Sequence, residues 1–375
     1  MPHAAILKPK EERRLLRGHR WAYRNEFASL PDAQDGELVD VLADGGRFVG
    51  RGFFQASGGI AVRILTLEDK PIDGELLRAR IHRARRYRDQ LYGGSTVYRW
   101  VYAESDGLPA LIADRYDCMV SVQAGSPFYA GHAEGIAEAI MESGDVRGVR
   151  FEAGGKALHF GEFLSPIEVS LNGIRFHVDV EQGQKTGMFL DQRENVRMLE
   201  PIVKGARVLD GHCYTGLWGV SAACWGAQEV IGFDTSAPAI EMAAENARLN
   251  RVEARCSFKC ADVQTALHEK KHYDVVMLDP PALAKARGQK RNALGAYLAL
   301  NRLAMDAVAP GGWLFTSSCS HFVDAPEFLE MLKRAGRSAQ RDLWVVRVCG
   351  AAPDHPVLMG MPETAYLTCA ALRLM

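Results

Sequence analysis

The 375-residue chain has almost no net charge, with 45 Lys and Arg set against 46 Asp and Glu. A polyanion would find no global attraction here, so any affinity for one must come from local basic surface. No run approaches the roughly 18 apolar residues a membrane-spanning helix requires, and the opening MPHAAILKPKEERRLLRGHR has no apolar core of a secretion signal. Internal repeats and low-complexity tracts are also missing, and 47% hydrophobic with 24% charged residues is an ordinary globular balance. The eight cysteines are scattered through apolar runs, as reduced, buried thiols of a cytoplasmic protein are. Cys256 and Cys260 form a C-x-x-x-C with no accompanying His/Cys cluster. Strand positions are expected there, and no metal.

What charge there is, is segregated. Through Ser95 the chain carries 17 Lys and Arg against 13 Asp and Glu, clustered in EERRLLRGHRWAYR (11–24) and RARIHRARRYR (78–88). Short strand-like runs, ELVDVLA, RFVGRGFF and IAVRILT, with a DGG turn at 44–46, predict a small β module over 1–74. Residues 75–178 read as a mixed α+β unit: a helix over 72–92, strands at VYRWVYAES and CMVSVQAG, a helix at GHAEGIAEAIMESG, then VRGVRFEAG. From 179 to 375 apolar strands alternate with amphipathic helices, which predicts a mostly parallel α/β sheet covered on both faces. The last two strands, LWVVRVCG and AYLTCAALRLM, have no helix between them, so the final strand is expected to insert antiparallel.

Ligands of such sheets bind at the carboxyl ends of the strands. Four successive strands here end in an aspartate: Asp210, Asp234, Asp262 and Asp279. One such Asp is a common loop opener; four in register point to a site. After Asp210 comes GHCYTGLWG, whose Gly216 and Gly219 would let a helix begin close to a ligand. It lacks the G-x-G-x-x-G that receives a dinucleotide pyrophosphate. The surrounding carboxylates suit a smaller, cationic ligand, S-adenosylmethionine, better than NAD.

VLDGHCYTGLWGVSAACWGAQEVIGFDTS, DVVMLDPPALAKARGQ and FTSSCSHF resemble motifs of class I S-adenosylmethionine methyltransferases. Together with EQGQKTGMFLDQREN (181–195), they resemble the 23S rRNA methyltransferases that carry an N-terminal PUA domain, whose best-known members make 5-methylcytosine. LKPKEERRLLRGHRWAYRNE and GRFVGRGFF are similar to the PUA module, ESDGLPALIADRYDCMVSVQ to the central domain, and APDHPV also fits the family. The resemblance implies a Rossmann-like sheet with its last strand antiparallel. It implies that Asp210, His212, Cys213, Tyr214, Thr215 and Gly216 line the cofactor's methionine part, that Asp234 with Thr235 and Ser236 holds the ribose, and that Asp262 lies near the adenine. Asp279 and Pro280 would stand between cofactor and base. The loop holding Lys185, Thr186, Phe189, Asp191 and Arg193 would close over the cofactor. Two departures stand out: Gly211–His212 replaces an apolar pair, and Leu217–Trp218 replaces a Gly-Gly.

Carbon 5 of cytosine needs activation before it can take a methyl group, and a thiolate adding to C6 supplies it. By position Cys319 fits the nucleophile and Asp279 the group beside N3 of a flipped base. His321 is expected to cap the next helix or face solvent, and Ala282 stands where many cytosine-C5 enzymes carry a second cysteine. Arg14, Arg17, Arg20, Trp21 and Arg24 are the expected RNA contacts, on 23S rRNA or a large-subunit precursor. Ring-nitrogen methylation without covalent catalysis, a non-catalytic RNA-binding factor and a nicotinamide oxidoreductase are the competing readings. The oligomeric state stays open between monomer and homodimer.

Overall fold

The computed structural model describes residues 3–183, 186–269, 272–284 and 287–375. By internal contacts the chain divides into two compact units, one of Met1–Val169, Val178–Met188 and Pro353–Thr364, the other of Ser170–His177, Phe189–Ala352 and Ala365–Met375.

The first unit holds two sheets. A six-stranded sheet is built from His3–Leu7, Trp21–Tyr23, Phe27–Ser29, Leu38–Leu42, Phe48–Phe54 and Ile60–Thr66. The DGG turn closes one of its hairpins, with the Ala43 amide donating to the Arg47 carbonyl. A five-stranded sheet follows, from Val97–Tyr102, Leu111–Tyr116, Met119–Ala124, Gly148–Ala153 and Lys156–Gly161. The helix Gly74–Tyr92 packs on it. Its Asp73 cap accepts the Leu76 amide at 2.9 Å, and Gly93 ends it in the left-handed region at φ 39°. Leu77, Ile81, Ala84 and Arg88 make its buried stripe.

The strand Leu111–Tyr116 escapes the apolar pattern because its polar residues are internal. Asp114 is fully buried against Arg99, whose Nη2 donates to Oδ2 at 2.9 Å, and it also accepts from the Thr186 hydroxyl. Next to it, Arg115 reaches Asp145 at 2.8 Å. A charge satisfied by another charge behaves as core, and periodicity cannot see that.

In the second unit one seven-stranded sheet dominates. Its strands in chain order are β1 (Arg207–Gly211), β2 (Glu229–Asp234), β3 (Cys256–Cys260), β4 (Tyr273–Leu278), β5 (Val308–Ser318), β6 (Leu343–Cys349) and β7 (Thr368–Leu374). Their spatial order is β3-β2-β1-β4-β5-β7-β6. β1 to β5 run parallel, and β7 slots between β5 and β6 antiparallel to both, as the missing crossover helix requires. Chain order reverses between β1 and β4, which is where an open α/β sheet leaves its crevice.

Removing one partner of the buried Arg99–Asp114 pair leaves an uncompensated charge. Asp114→Ala is expected to cost on the order of 3–5 kcal/mol of stability. Denaturant unfolding followed by fluorescence measures it, and a loss under about 1 kcal/mol would show that the pair is solvent-screened.

Candidate active site

β1 delivers Asp210 to the rim, and the structure gives this side chain an inward task. It is 1% exposed, and its Oδ2 accepts the Gly219 amide at 2.8 Å from the first turn of the helix Leu217–Cys224. Burial pushes the carboxyl up to about 8, with Asp279 and Asp234 adding to the rise against the Gly219 hydrogen bond. A β-carbon at Gly219 would stand 2.8 Å from that Oδ2, so this glycine is bare for the sake of Asp210 rather than of a ligand. Gly211 is similarly forced, since a β-carbon would come within 2.7 Å of Val263 and 2.8 Å of Leu278. The loop then passes through three left-handed residues, His212 (φ 62°), Tyr214 (φ 47°) and Gly216 (φ 86°). Two of these are not glycine, and such local strain gathers where a loop must present groups to a ligand.

That loop faces β2. Asp234 accepts the Tyr214 amide at 3.0 Å on one oxygen and the Ser236 amide at 2.9 Å on the other. Ser236 caps the helix Ala237–Leu249 through the Ala239 amide, and Thr235 is exposed beside it. Asp262, exposed at the end of β3, caps Val263–His268. Between these two carboxylates lies His212. Burial holds its imidazole below the ordinary value against the pull of Asp234 and Asp262, and its Nε2 is buried without a protein partner. Cys213 and Thr215 turn inward. The Cys213 thiol is 4% exposed and driven far above its ordinary pKa by burial and then by Asp210 and Asp234, which excludes it as a nucleophile. The Thr215 carbonyl accepts from the Asn246 side chain at 3.0 Å. Trp218, one of the departures, is buried 6.1 Å from the Phe315 ring, with its indole N–H unpartnered.

On the other side of the crevice, Asp279 follows directly on β4 and Cys319 on β5. The Cys319 Sγ lies 3.7 Å from the Pro280 carbonyl, so the thiol and the Asp-Pro-Pro turn meet at one rim. Behind them stands a residue that sequence reasoning passed over. Gln192 donates through Nε2 to Asp279 Oδ1 and to Ser317 Oγ, each at 3.0 Å, and is 1% exposed. Its Oε1 accepts from Asn195 Nδ2 at 2.7 Å, and that amide also donates to the Gly350 carbonyl at 3.0 Å. A backbone carbonyl can only accept, so it fixes the Asn195 amide, which in turn fixes the amide of Gln192. The clue in the sequence was position: Gln192 lies between Asp191 and Arg193 in the loop already singled out.

The rest of that loop is divided. Thr186 belongs to the first unit, where it holds Asp114, and Lys185 lies outside the described residues. In the second unit the Phe189 ring packs edge-on to Tyr214 at 5.1 Å. Asp191 accepts from the Tyr366 hydroxyl through Oδ2 while its buried Oδ1 has no protein partner, and Arg193 is buried with Nε 3.4 Å from Glu194. His321 is no cap. Asp324 opens the helix Ala325–Ser338 in a capping box with Glu327, and the exposed His321 leans on the Tyr366 ring at 5.4 Å.

Of the expected RNA contacts, Arg14 is spent internally on Glu26 (2.6 Å) and the Trp21 carbonyl (2.9 Å). Trp21 donates to Glu104 at 2.7 Å under the Arg63 guanidinium, and Arg24 holds the carbonyls of Gln55 and Gly58. Arg17 is exposed, and Arg20 half-buried. Among the described residues no group of His, Cys, Asp and Glu is arranged to hold a metal.

The sheet order, the strand-end carboxylates and the left-handed loop define a class I S-adenosylmethionine-dependent methyltransferase. Residues 149–361 match the S-adenosylmethionine-dependent methyltransferase family and residues 5–67 the PUA-like domain. Proteins named ribosomal RNA large subunit methyltransferase I, from Shewanella denitrificans and Aeromonas salmonicida, are 36% and 34% identical, each alignment covering 96% and 95% respectively of both chains. The chain belongs to the ribosomal RNA large subunit methyltransferase I family. A putative S-adenosylmethionine-dependent methyltransferase from Streptococcus mutans shares the fold at a TM-score of 0.87 and 18% identity, over 99% of this chain and 100% of that one. A further putative methyltransferase, solved with SAH, superposes at 0.88 over 99% and 100%, also at 18% identity. S-adenosylmethionine is therefore the cofactor, which leaves no place for a nicotinamide.

Asp210 carries a signed prediction. Its folded pKa of about 8 exceeds the ordinary 3.8, so the folded chain keeps a proton that the unfolded chain has released. Stability contributed by this group is greatest at low pH, falls as pH rises from about 4 to about 8, and is flat above. Asp210→Asn is expected to shrink the fall in melting temperature between about pH 5 and about pH 8, and an undiminished fall would refute the assignment. Gln192→Leu removes both donors from Asp279 and Ser317. Methyl transfer is expected to slow at least about tenfold, the value of one charge-assisted hydrogen bond, while S-adenosylmethionine still binds by calorimetry. A parallel loss of binding would make Gln192 merely structural.

Proposed function

We propose that the chain methylates a base of large-subunit ribosomal RNA, and that the base is a cytosine modified at carbon 5. The observation that carries the finer reading is the Cys319 thiol at the Asp279–Pro280 turn. A ring nitrogen can be methylated by positioning alone, whereas carbon 5 needs a thiol beside a carboxyl, and both stand at neighbouring strand ends.

The donor set fits the cofactor. Asp234 keeps acceptor capacity for two ribose hydroxyls, and the unpartnered His212 Nε2 between Asp234 and Asp262 offers the ligand a hydrogen bond. Phe189, on Tyr214, provides an apolar wall. Bound there, S-adenosylmethionine supplies an electrophilic methyl group. Cys319 as thiolate would add to C6 of the base, and the C5–C6 electron pair would pass to C5, which would bond to the methyl carbon as that carbon's bond to the sulfonium sulfur breaks, the electron pair staying on sulfur. Asp279, oriented by Gln192, accepts from the exocyclic amine and, in its protonated form, donates to N3. A base then removes the C5 proton, and the electron pair left behind expels the Cys319 sulfur from C6. A flipped base in such a pocket also accounts for a separate RNA-holding module in the same chain. Acting on ribosomal RNA, the enzyme would work in the cytoplasm; no described helix is long and apolar enough to cross a membrane.

The test is covalent trapping. Ribosomal RNA carrying 5-fluorocytosine is expected to yield a denaturant-stable complex with the protein that disappears in Cys319→Ala. Full methylation by Cys319→Ser would refute the adduct and leave ring-nitrogen methylation as the reading. Failure of the wild type to bind S-adenosylmethionine would favour a non-catalytic RNA-binding role.

A further inference from the structure

Within the first unit, the turn Ala103–Asp106 and the Gly107 that follows are a meeting point for arginines. Five of them converge on this stretch or on each other, and the stretch itself carries two carboxylates. Glu104 is taken by Arg63 and by the Trp21 indole N–H. Asp106 is taken by the fully buried Arg88 at 2.6 Å and by the Tyr102 amide at 2.6 Å. Among the described residues the other three, Arg20, Arg80 and Arg83, have no carboxylate within ion-pair distance, and Glu68 acts on Arg80 only from further away. Arg80 donates only to the carbonyls of Gly107 and Leu65, and Arg83 to the carbonyl of Asp106 at 2.9 Å. The two guanidiniums close over one spot, because a β-carbon on Gly107 would stand 3.3 Å from Arg83 Nη2 and 3.5 Å from Arg80 Nε.

Arg20 joins them from the β module, where its carbonyl accepts the Ile64 amide next to the Leu65 that holds Arg80. Its Nε is buried without a partner. Burial and then Arg83 pull the Arg20 guanidinium below its ordinary value, while burial, Arg83 and Arg20 bring Arg80 down to about 10. Three like charges crowded in a half-buried place are unfavourable by themselves, and a protein tolerates them where an anion completes the set. Arg83 is exposed at the mouth and Arg20 and Arg80 are half-buried beneath it, so an anion reaches them from solvent. The free N–H groups of planar guanidiniums match the oxygens of a phosphate.

We propose that Arg20, Arg80 and Arg83 form a phosphate site in the first unit, and that it takes a backbone phosphate of the RNA substrate. Naming RNA rests on the function proposed above; the phosphate chemistry does not. The site also differs from a generally basic surface, because Arg78 on the same helix already has Glu142 at 3.0 Å.

Two measurements on the full chain separate these claims. In the first, melting temperature is followed in inorganic phosphate and in chloride at matched ionic strength. The wild type is expected to gain stability in phosphate, and Arg83→Gln and Arg20→Gln to lose most of that gain, while Arg78→Gln keeps it. No phosphate-specific gain in the wild type overturns the site. In the second, affinity for a large-subunit rRNA fragment is measured against salt. Arg83→Gln is expected to weaken binding about 3–10-fold and reduce the log–log salt slope by about 1, one phosphate contact. A phosphate response with an unchanged RNA slope overturns the RNA assignment and leaves a site for free phosphate. A wild type that binds no RNA overturns the proposed substrate as well as the RNA assignment, and the phosphate response still decides the site. Arg83 is exposed, so its loss leaves the fold intact; Arg80, which ties two carbonyls, is left in place.

Discussion

The hydrogen bond from the Gly219 amide to the buried Asp210 carboxyl sets the terms for the rest of the second unit. It ties the first turn of a helix to the end of β1, and that closeness leaves no room for a side chain at 219. The five residues between the end of β1 and the start of the helix, 212–216, turn sharply, with His212, Tyr214 and Gly216 in the left-handed region. Tight turning in turn exposes the Tyr214 amide to Asp234 and leaves the His212 ring between two carboxylates. Two departures of this loop from the usual family pattern have their own packing partners. Gly211 is required by Val263 and Leu278, and Trp218 fills the space toward Phe315.

Four aspartates at one rim were legible from the sequence, yet rim position alone did not assign their work. Asp210 is buried and favours its proton, Asp234 splits its oxygens between two amides, Asp262 is an exposed cap, and Asp279 is held by a glutamine. Their places at the ends of successive strands put them at one edge, because a parallel sheet brings its strand ends together. Burial then made them unlike. Burial makes the Asp210 carboxyl resist ionisation even though it accepts an amide. Only three-dimensional packing separates those cases.

The parallel sheet was also legible, including its inserted last strand, because a run of strands and helices in strict alternation admits few topologies. What escaped were places where polar residues act as core. Leu111–Tyr116 carries Asp114 and Arg115 inward, and Gln192 with Asn195 builds a buried relay from the Gly350 carbonyl to Asp279. A search for charged residues reads Asp191 and Arg193 and steps over the amide between them. At the front of the chain, two of the arginines expected as RNA contacts also have internal partners. Arg14 and Arg24 are tied to Glu26 and to carbonyls, so the number of basic residues overstates the basic surface. Charge left unpaired is a better guide than charge counted.

The alternation of β5 bears on the thiol. Side chains along a strand point to opposite faces in turn, so Ser317 and Cys319 share one side while Ser318 faces the other. Ser318 reaches the Tyr297 hydroxyl at 3.2 Å, and Ser320 meets the same hydroxyl at 3.1 Å, both buried. Ser317 instead receives the Gln192 amide that also holds Asp279. The hydroxyls flanking Cys319 therefore anchor the strand end to the helix Lys290–Ala307, and the sulfur is left on the side of Ser317, against the Pro280 carbonyl. A core thiol at this position would have had to sit with Ser318 and Ser320. The sulfur instead stands 3.7 Å from the carbonyl of Pro280, the residue that follows Asp279.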